Sequence, residues 1–276
     1  MELARLFAKL YAVQRTQSKT NIIFLLSSGG KLSFLGSKKW IDEQLEHPDS
    51  NVLSESQFSI SLDALASKDQ TDLFMHVSKV PKEKSPTALF LKHFQEASLR
   101  HKKNGTLVHK KINLAEEALA WEHERFTFRR LPAFTVSAIQ SHKDLMRSSI
   151  FDTCESVDIE QLSTNIEIIA ESLASLVFPQ IRTKSLQLFN SELKVSRPFV
   201  RSMMKQICSQ PRSQQLLITK KKGNNHVISP LVSSLEVALK KTVRNTVYRH
   251  YKLDQREPEV VFYEPVSTTM NLFKYV

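Results

Sequence analysis

The chain opens on a helical pattern. Leu3, Leu6, Phe7 and Leu10 recur at three- and four-residue spacing, which predicts a helix ending near Val13. An unbroken apolar run, IIFLL at 22–26, follows and predicts a strand buried on both faces, as in the parallel sheet of an α/β protein. Ser27-Ser28-Gly29-Gly30 close that strand, and a second helical pattern runs from about 35 to 45. Strand, tight turn and helix is where α/β proteins place chemistry, because ligands sit beyond the carboxyl ends of parallel strands.

After a linker at 47–51, residues 58–62 alternate as a strand that carries Asp63 to its end, and 73–80 alternate as a strand expected beside it. Ser85-Pro86 supply an N-cap and a first-turn proline for a helix whose buried stripe is Leu89, Phe90, Phe94 and Ala97. A short strand at 107–112, a helix over 116–129 broken at Pro132, and a strand at 133–139 come next, then a polar loop at 141–153. Asp158 and Gln161 read as a capping box for a helix carrying Ile159, Leu162, Ile166, Ile169, Leu173 and Leu176 on one face.

Beyond Pro179 the character changes. Phe199, Val200, Met203, Met204 and Ile207 mark a helix ending before Pro211, with the methionines read as core. A basic loop at 220–225 leads to Ser229-Pro230, which caps a helix expected to reach about His250. The expectation is therefore an α/β domain at 1–178, with a mixed, largely parallel sheet flanked by helices, and a helical annex at 179–276.

Charge sharpens that division. The 276 residues carry a net charge of +11, yet 1–178 balance 22 Lys/Arg against 22 Asp/Glu, while 179–276 hold 17 against 6. Such a split suits a neutral body with a basic annex facing an anionic surface or partner; a solvated basic face is the plainer alternative. A nucleic-acid module in the annex is disfavoured, because aromatics do not interleave with the Lys/Arg and no reader motif is present. No apolar run reaches the roughly 18 residues of a membrane span, and no signal peptide is visible. The first helix starts without a cap, as a cut end would. Cys154 and Cys208 leave compartment and pairing open, and Asn104-Gly105-Thr106 is a glycosylation sequon usable only in a lumenal or secreted chain.

Several catalytic motifs fail on inspection. A P-loop ending at Gly30-Lys31 would need Gly at 25 and Ser or Thr at 32, where Leu25 and Leu32 stand. A helical zinc site opening at His123-Glu124 lacks its second histidine, because position 127 is Thr. Glu122-His123-Glu124 is read instead as helix surface or as supporting hydrogen bonding.

One constellation survives. Gly29-Gly30-Lys31 followed by Phe34-Leu35-Gly36-Ser37, Asp63 at a strand end, and Phe151-Asp152-Thr153 before the capped helix resemble the three site segments of the co-catalytic di-zinc aminopeptidase family. That resemblance implies a Gly-Glu-Glu turn, an Asp and a His at the three places, with one Glu acting as base toward a metal-bridging water and the other as ligand. Gly30 can do neither, Lys31 puts an ammonium where a divalent cation would sit, and Asp152 replaces the His. Two further ligands would lie upstream of Met1. The frame matches and the chemistry does not, so no catalytic residue, metal or cofactor is expected, and a working metallo-aminopeptidase is the disfavoured alternative.

Within that superfamily NLAEEALAWEHERF at 113–126, RRLPAFT at 129–135 and RSSI at 147–150 resemble the nicalin family of nicastrin-like proteins, with ELARLF at 2–7 and EPEVVFY at 257–263 as flanks. The likeness is dense over 1–178 and thinner across the annex. It implies a non-catalytic scaffold subunit of an endoplasmic reticulum membrane complex, with the peptidase-like domain in the lumen. Implied partners are the Nodal modulator protein and a multi-pass membrane protein beside the Sec translocon, in support of multi-pass membrane protein biogenesis. Set against the family's pattern, the sequence is expected to lack a signal sequence, the first strands of the domain and the C-terminal span.

Overall fold

A computed structural model describes residues 1–13, 18, 20–47, 50, 52–68, 70–116, 118–148, 153–178, 189, 193–209, 221, 222, 225, 226 and 230–251. In chain order its elements are α1 (Glu2–Val13), α2 (Leu35–Glu46), β1 (Ser59–Asp63), β2 (Leu73–Val77), α3 (Pro86–Arg100), β3 (Gly105–His109), α4 (His123–Phe128), β4 (Ala133–Ser137), α5 (Leu145–Ser148), α6 (Ile159–Val177), α7 (Arg197–Cys208) and α8 (Pro230–Lys240). A two-residue ribbon, β5 (Lys221–Lys222) with β6 (Asn225–His226), forms part of the stretch expected as a basic loop.

The strands form one mixed sheet in the order β1-β4-β2-β3. β1 and β4 run parallel, β2 and β3 run parallel, and β2 meets β4 antiparallel. The expectation that β2 lies beside β1 is corrected: β4 enters between them. The connection from β1 to β2 is no tight hairpin, and Phe134 and Val136 of β4 take the centre of the core.

The pleat sorts side chains by parity. Leu73, Met75, Val77, Phe134 and Val136 face a layer built from α1, α3, α6 and α7, in which Phe58, Phe90 and Phe134 pack ring on ring. Ser61, Thr135 and His76 share one row of the other face, and Asp63, Ser137 and Phe74 the next. That face meets α4, where Ile41, Leu53 and Phe126 form a smaller apolar cluster. Helices thus cover both faces, one apolar and one largely polar.

Six further expectations change. Residues 22–26 do not join the sheet: Ile22 and Phe24 pack on the core while Ile23 and Leu25 point outward, so only one side is covered. The helix over 116–129 shrinks to α4. The Glu124 carboxylate reaches back to accept from the Ala120 N–H at 3.1 Å, so a side chain takes an amide the longer helix would use. α8 stops at Lys240, before the β-branched Thr242, Val243, Thr246 and Val247. The capping box is half made: Asp158 Oδ1 accepts from the Glu160 and Gln161 N–H groups, but the Gln161 amide donates to Lys68 O and the Asp158 N–H to Ala66 O. Leu89, expected inside, is exposed, whereas Phe90, Phe94 and Ala97 are buried. The polar loop contains α5.

Gly36 fixes how the turn meets α2. A Cβ there would lie 2.4 Å from Ser28 O and 2.8 Å from Ser28 N, and the Gly36 N–H donates to Ser28 O at 3.1 Å. Gly36→Ala should therefore destabilise the protein by about 2–3 kcal/mol in urea unfolding. Gly30→Ala, with nothing within 4 Å of its Cβ, should stay within about 0.5 kcal/mol. Equal losses for the two variants would show that the turn is not packed as described.

Candidate functional site

The glycine turn is held from the side by α4. Ser27 Oγ donates to Glu122 Oε1 at 2.7 Å, Ser37 Oγ donates to the same oxygen, and Arg125 Nε donates to Ser33 O at 2.8 Å. These bonds hold Ser33 and Phe34 in left-handed backbone, at φ 49° and 57°, a conformation that costs roughly 1–2 kcal/mol per non-glycine residue. Gly30 and Lys31 stand exposed on that turn.

The end of β1 comes to the neighbouring residue. Asp63 Oδ2 accepts from Arg147 Nε at 3.0 Å and Nη2 at 2.7 Å, and Arg147 Nη1 donates to His142 O at 3.3 Å. The guanidinium lies 4.4 Å from the centroid of Trp121, and Trp121 stacks on His76 at 4.1 Å. A carboxylate, a cation and two rings are thus stacked over the polar face of the sheet. The structure brings the turn and Asp63 together around Trp121 and Glu122, while Asp152 lies outside the described residues.

Beneath this stack the histidines of the polar layer are hydrogen-bonded. His76 Nε2 bonds Ile139 O at 2.9 Å; His123 bridges Thr135 Oγ1 at 2.8 Å and Ser78 Oγ at 2.9 Å. Of the two readings for Glu122-His123-Glu124, helix surface fails for His123 and Glu124, which are buried, and supporting hydrogen bonding stands. Burial, which disfavours the charged ring, lowers His76 to about 4 and His123 to about 3; for His76 the Ile139 carbonyl opposes the shift, and for His123 the nearby His76 adds to it. Burial also raises Glu124, with the Ala120 N–H opposing.

This donor set does not fit the paired zinc ions of the aminopeptidase frame. Asp63 already neutralises a guanidinium, and among the described residues no group of three or more His, Cys, Asp or Glu is placed to hold a metal ion. Asn104 is exposed in the turn before β3, its amide donating to Asp72 Oδ1 at 3.2 Å. His76, Trp121 and Arg147 were not singled out by the motif reading. A histidine inside the apolar strand LFMHV is the signal that could have found the first.

The two buried imidazoles set a pH dependence. Unfolded, both rings titrate near 6.5; folded, they stay neutral well below it, so unfolding takes up protons as pH falls and stability falls with it. Between pH 6.5 and 5 the unfolding free energy should drop with a slope approaching two protons, about 1.4 kcal/mol per pH unit for each. His123→Gln should halve that slope in denaturant titrations at stepped pH. A flat profile would place the rings in water.

No protein-family model matches the chain. The dog "BOS complex subunit NCLN" is 37% identical over 280 residues, covering 99% of this chain and 48% of the relative. The human protein of the same name is 36% identical over 280 residues, with the same coverage. "Nicalin" of Caenorhabditis elegans is 33% identical over 233 residues, 77% of this chain and 41% of the relative. The chain thus spans about half the length of the curated relatives it matches. Among solved structures, the γ-secretase component nicastrin overlays with a TM-score of 0.56 at 12% identity, over 87% of this chain and 47% of nicastrin, a likeness of fold. The mixed α/β sheet therefore shares the fold of nicastrin, and over its length the chain is a homologue of the nicalin proteins.

Proposed function

We propose that this chain is the peptidase-like portion of a non-catalytic scaffold subunit in an endoplasmic reticulum membrane complex. The observation that carries the reading is the Asp63–Arg147 pair: the strand-end carboxylate that a metallopeptidase would offer to zinc holds an arginine of its own chain. Gly30 and Lys31, on the turn where the family resemblance implies a Glu pair, support the same conclusion. With Asp63 engaged, Asp152 alone could not assemble a site; Gly30, Lys31, Asp63 and Asp152 are proposed as remnants.

The name of the relatives, BOS complex subunit, supports assembly with other proteins. The partners proposed are those the family resemblance implies: the Nodal modulator protein and a multi-pass membrane protein, near the Sec translocon, serving multi-pass protein biogenesis. Residues 1–178 are proposed as the lumenal peptidase-like domain and 179–276 as a basic annex toward the membrane, where its charge suits anionic headgroups. Among the described residues no helix is long and apolar enough to cross a membrane.

Two experiments test the proposal. The tagged full-length protein, purified from detergent-extracted microsomes, should bring down multi-pass membrane proteins in stoichiometric amount and show no chelator-sensitive hydrolysis of aminoacyl substrates; zinc-dependent cleavage would sink the non-catalytic reading. On the same protein, Asn104→Gln should remove one glycosidase-sensitive step in gel mobility, and an unchanged ladder would withdraw the lumenal glycan at the exposed Asn104.

A further inference from the structure

Cys154 and Cys208 are 54 positions apart in sequence and line the same cleft. The 3-10 turn Cys154–Ser156, which leads into α6, packs against α7, and the open cleft between them measures about 350 Å³. Ile159 and Met204 give it an apolar floor, and Arg201 and Lys205 bring positive charge to its wall. Cys154 is exposed and begins the turn; Cys208 is half-buried and ends α7. Both sit at the ends of their elements. In this structure the two sulfurs are not joined.

We propose that this cleft is a modification site, at which Cys154 and Cys208 are converted to an intramolecular disulfide by a small-molecule disulfide of the oxidised glutathione class. The exposed Cys154 thiolate attacks one sulfur of the small disulfide, forming a mixed disulfide and releasing one small thiol. Cys208 then attacks the Cys154 sulfur and releases the second. The protein pair gives up two electrons, the small disulfide takes them, and the two thiol protons end on the two released thiols. Arg201 and Lys205 attract the carboxylates of such an oxidant into the cleft.

The geometry gives the bond something to do. α7 is anchored at its start, where Val200 is buried in the main core and Arg197 Nη2 lies 2.9 Å from Glu160 Oε2. Its far end is held by a hydrogen bond from Gln206 Nε2 to Ser234 Oγ of α8. A 154–208 bond would fasten that far end directly to the entry of α6, and so tie the start of the basic region to the peptidase-like body. It also closes a long loop, the case in which a cross-link most restricts the unfolded chain.

The purified full-length protein is equilibrated in glutathione buffers from reducing to oxidising, quenched by alkylation and digested for mass spectrometry. The expected product is a monomer with a 154–208 linked peptide, lighter by two hydrogens, with neither cysteine alkylated and a melting temperature several degrees above that of the reduced form. Cys208→Ser should then stop the reaction at a stable glutathione adduct on Cys154. Glutathione on Cys154 of the unsubstituted protein with Cys208 still alkylatable, disulfide-linked dimers, or both thiols alkylated throughout would each overturn the proposal.

Discussion

α6 is buried on more than one side, and the rest of the structure follows from satisfying that demand. It packs against α1, α3 and α7, and its buried positions include 165–166 and 168–172, far more than a single stripe. A helix can be enclosed this way only if its small side chains admit close neighbours and its polar groups find partners. Ala170, Ser172 and Ala174 meet the first condition. The Ser163 and Ser172 hydroxyls meet the second by donating back to Ile159 O and Ile168 O. Glu171, 1% exposed, would be prohibitive alone; it accepts from Arg100 at 2.9 and 3.2 Å and bonds His101 at 3.2 Å. That group fixes α3 on α6, and α3 in turn holds Phe90 and Phe94 against the sheet. Asn165, donating to Leu65 O and accepting from Lys103, sets the height of α6 along it.

The elements whose pattern was dominated by burial were legible from sequence. α1, α2, α3 and α6 lie within a residue or two of their apolar spacing, and in α1, α3 and α6 one face does little except exclude water. Errors arose where side chains bond their own backbone or where one side of a segment lacks cover. Residues 22–26 illustrate the second case: composition says buried on both faces, but burial is decided by what packs alongside, and only Ile22 and Phe24 have neighbours in the core. Sheet order was least legible, since pairing of β4 between β1 and β2 is a long-range choice that no local spacing encodes.

The site divided along the same line. Asp63 at a strand end and the glycine turn could be found, because turn chemistry and strand length are local. Arg147 could not be assigned to Asp63 across 84 positions of sequence, nor Trp121 to His76 across 45. The buried polar face of the sheet was missed for a related reason. His76, Thr135 and Ser137 are single polar letters in apolar strands, and only the register between strands reveals that they share one surface.

The Asp63–Arg147 contact carries one more implication. A carboxylate that binds a metal depends on supply: the ion can be chelated, exchanged for a competitor or diluted away, and local order leaves with it. A guanidinium built into the same polypeptide arrives at synthesis in a one-to-one ratio, keeps its charge across the biological pH range and cannot be exchanged. Near Trp121 the order that this contact supplies is therefore set by the polypeptide itself and asks nothing of an ion supply.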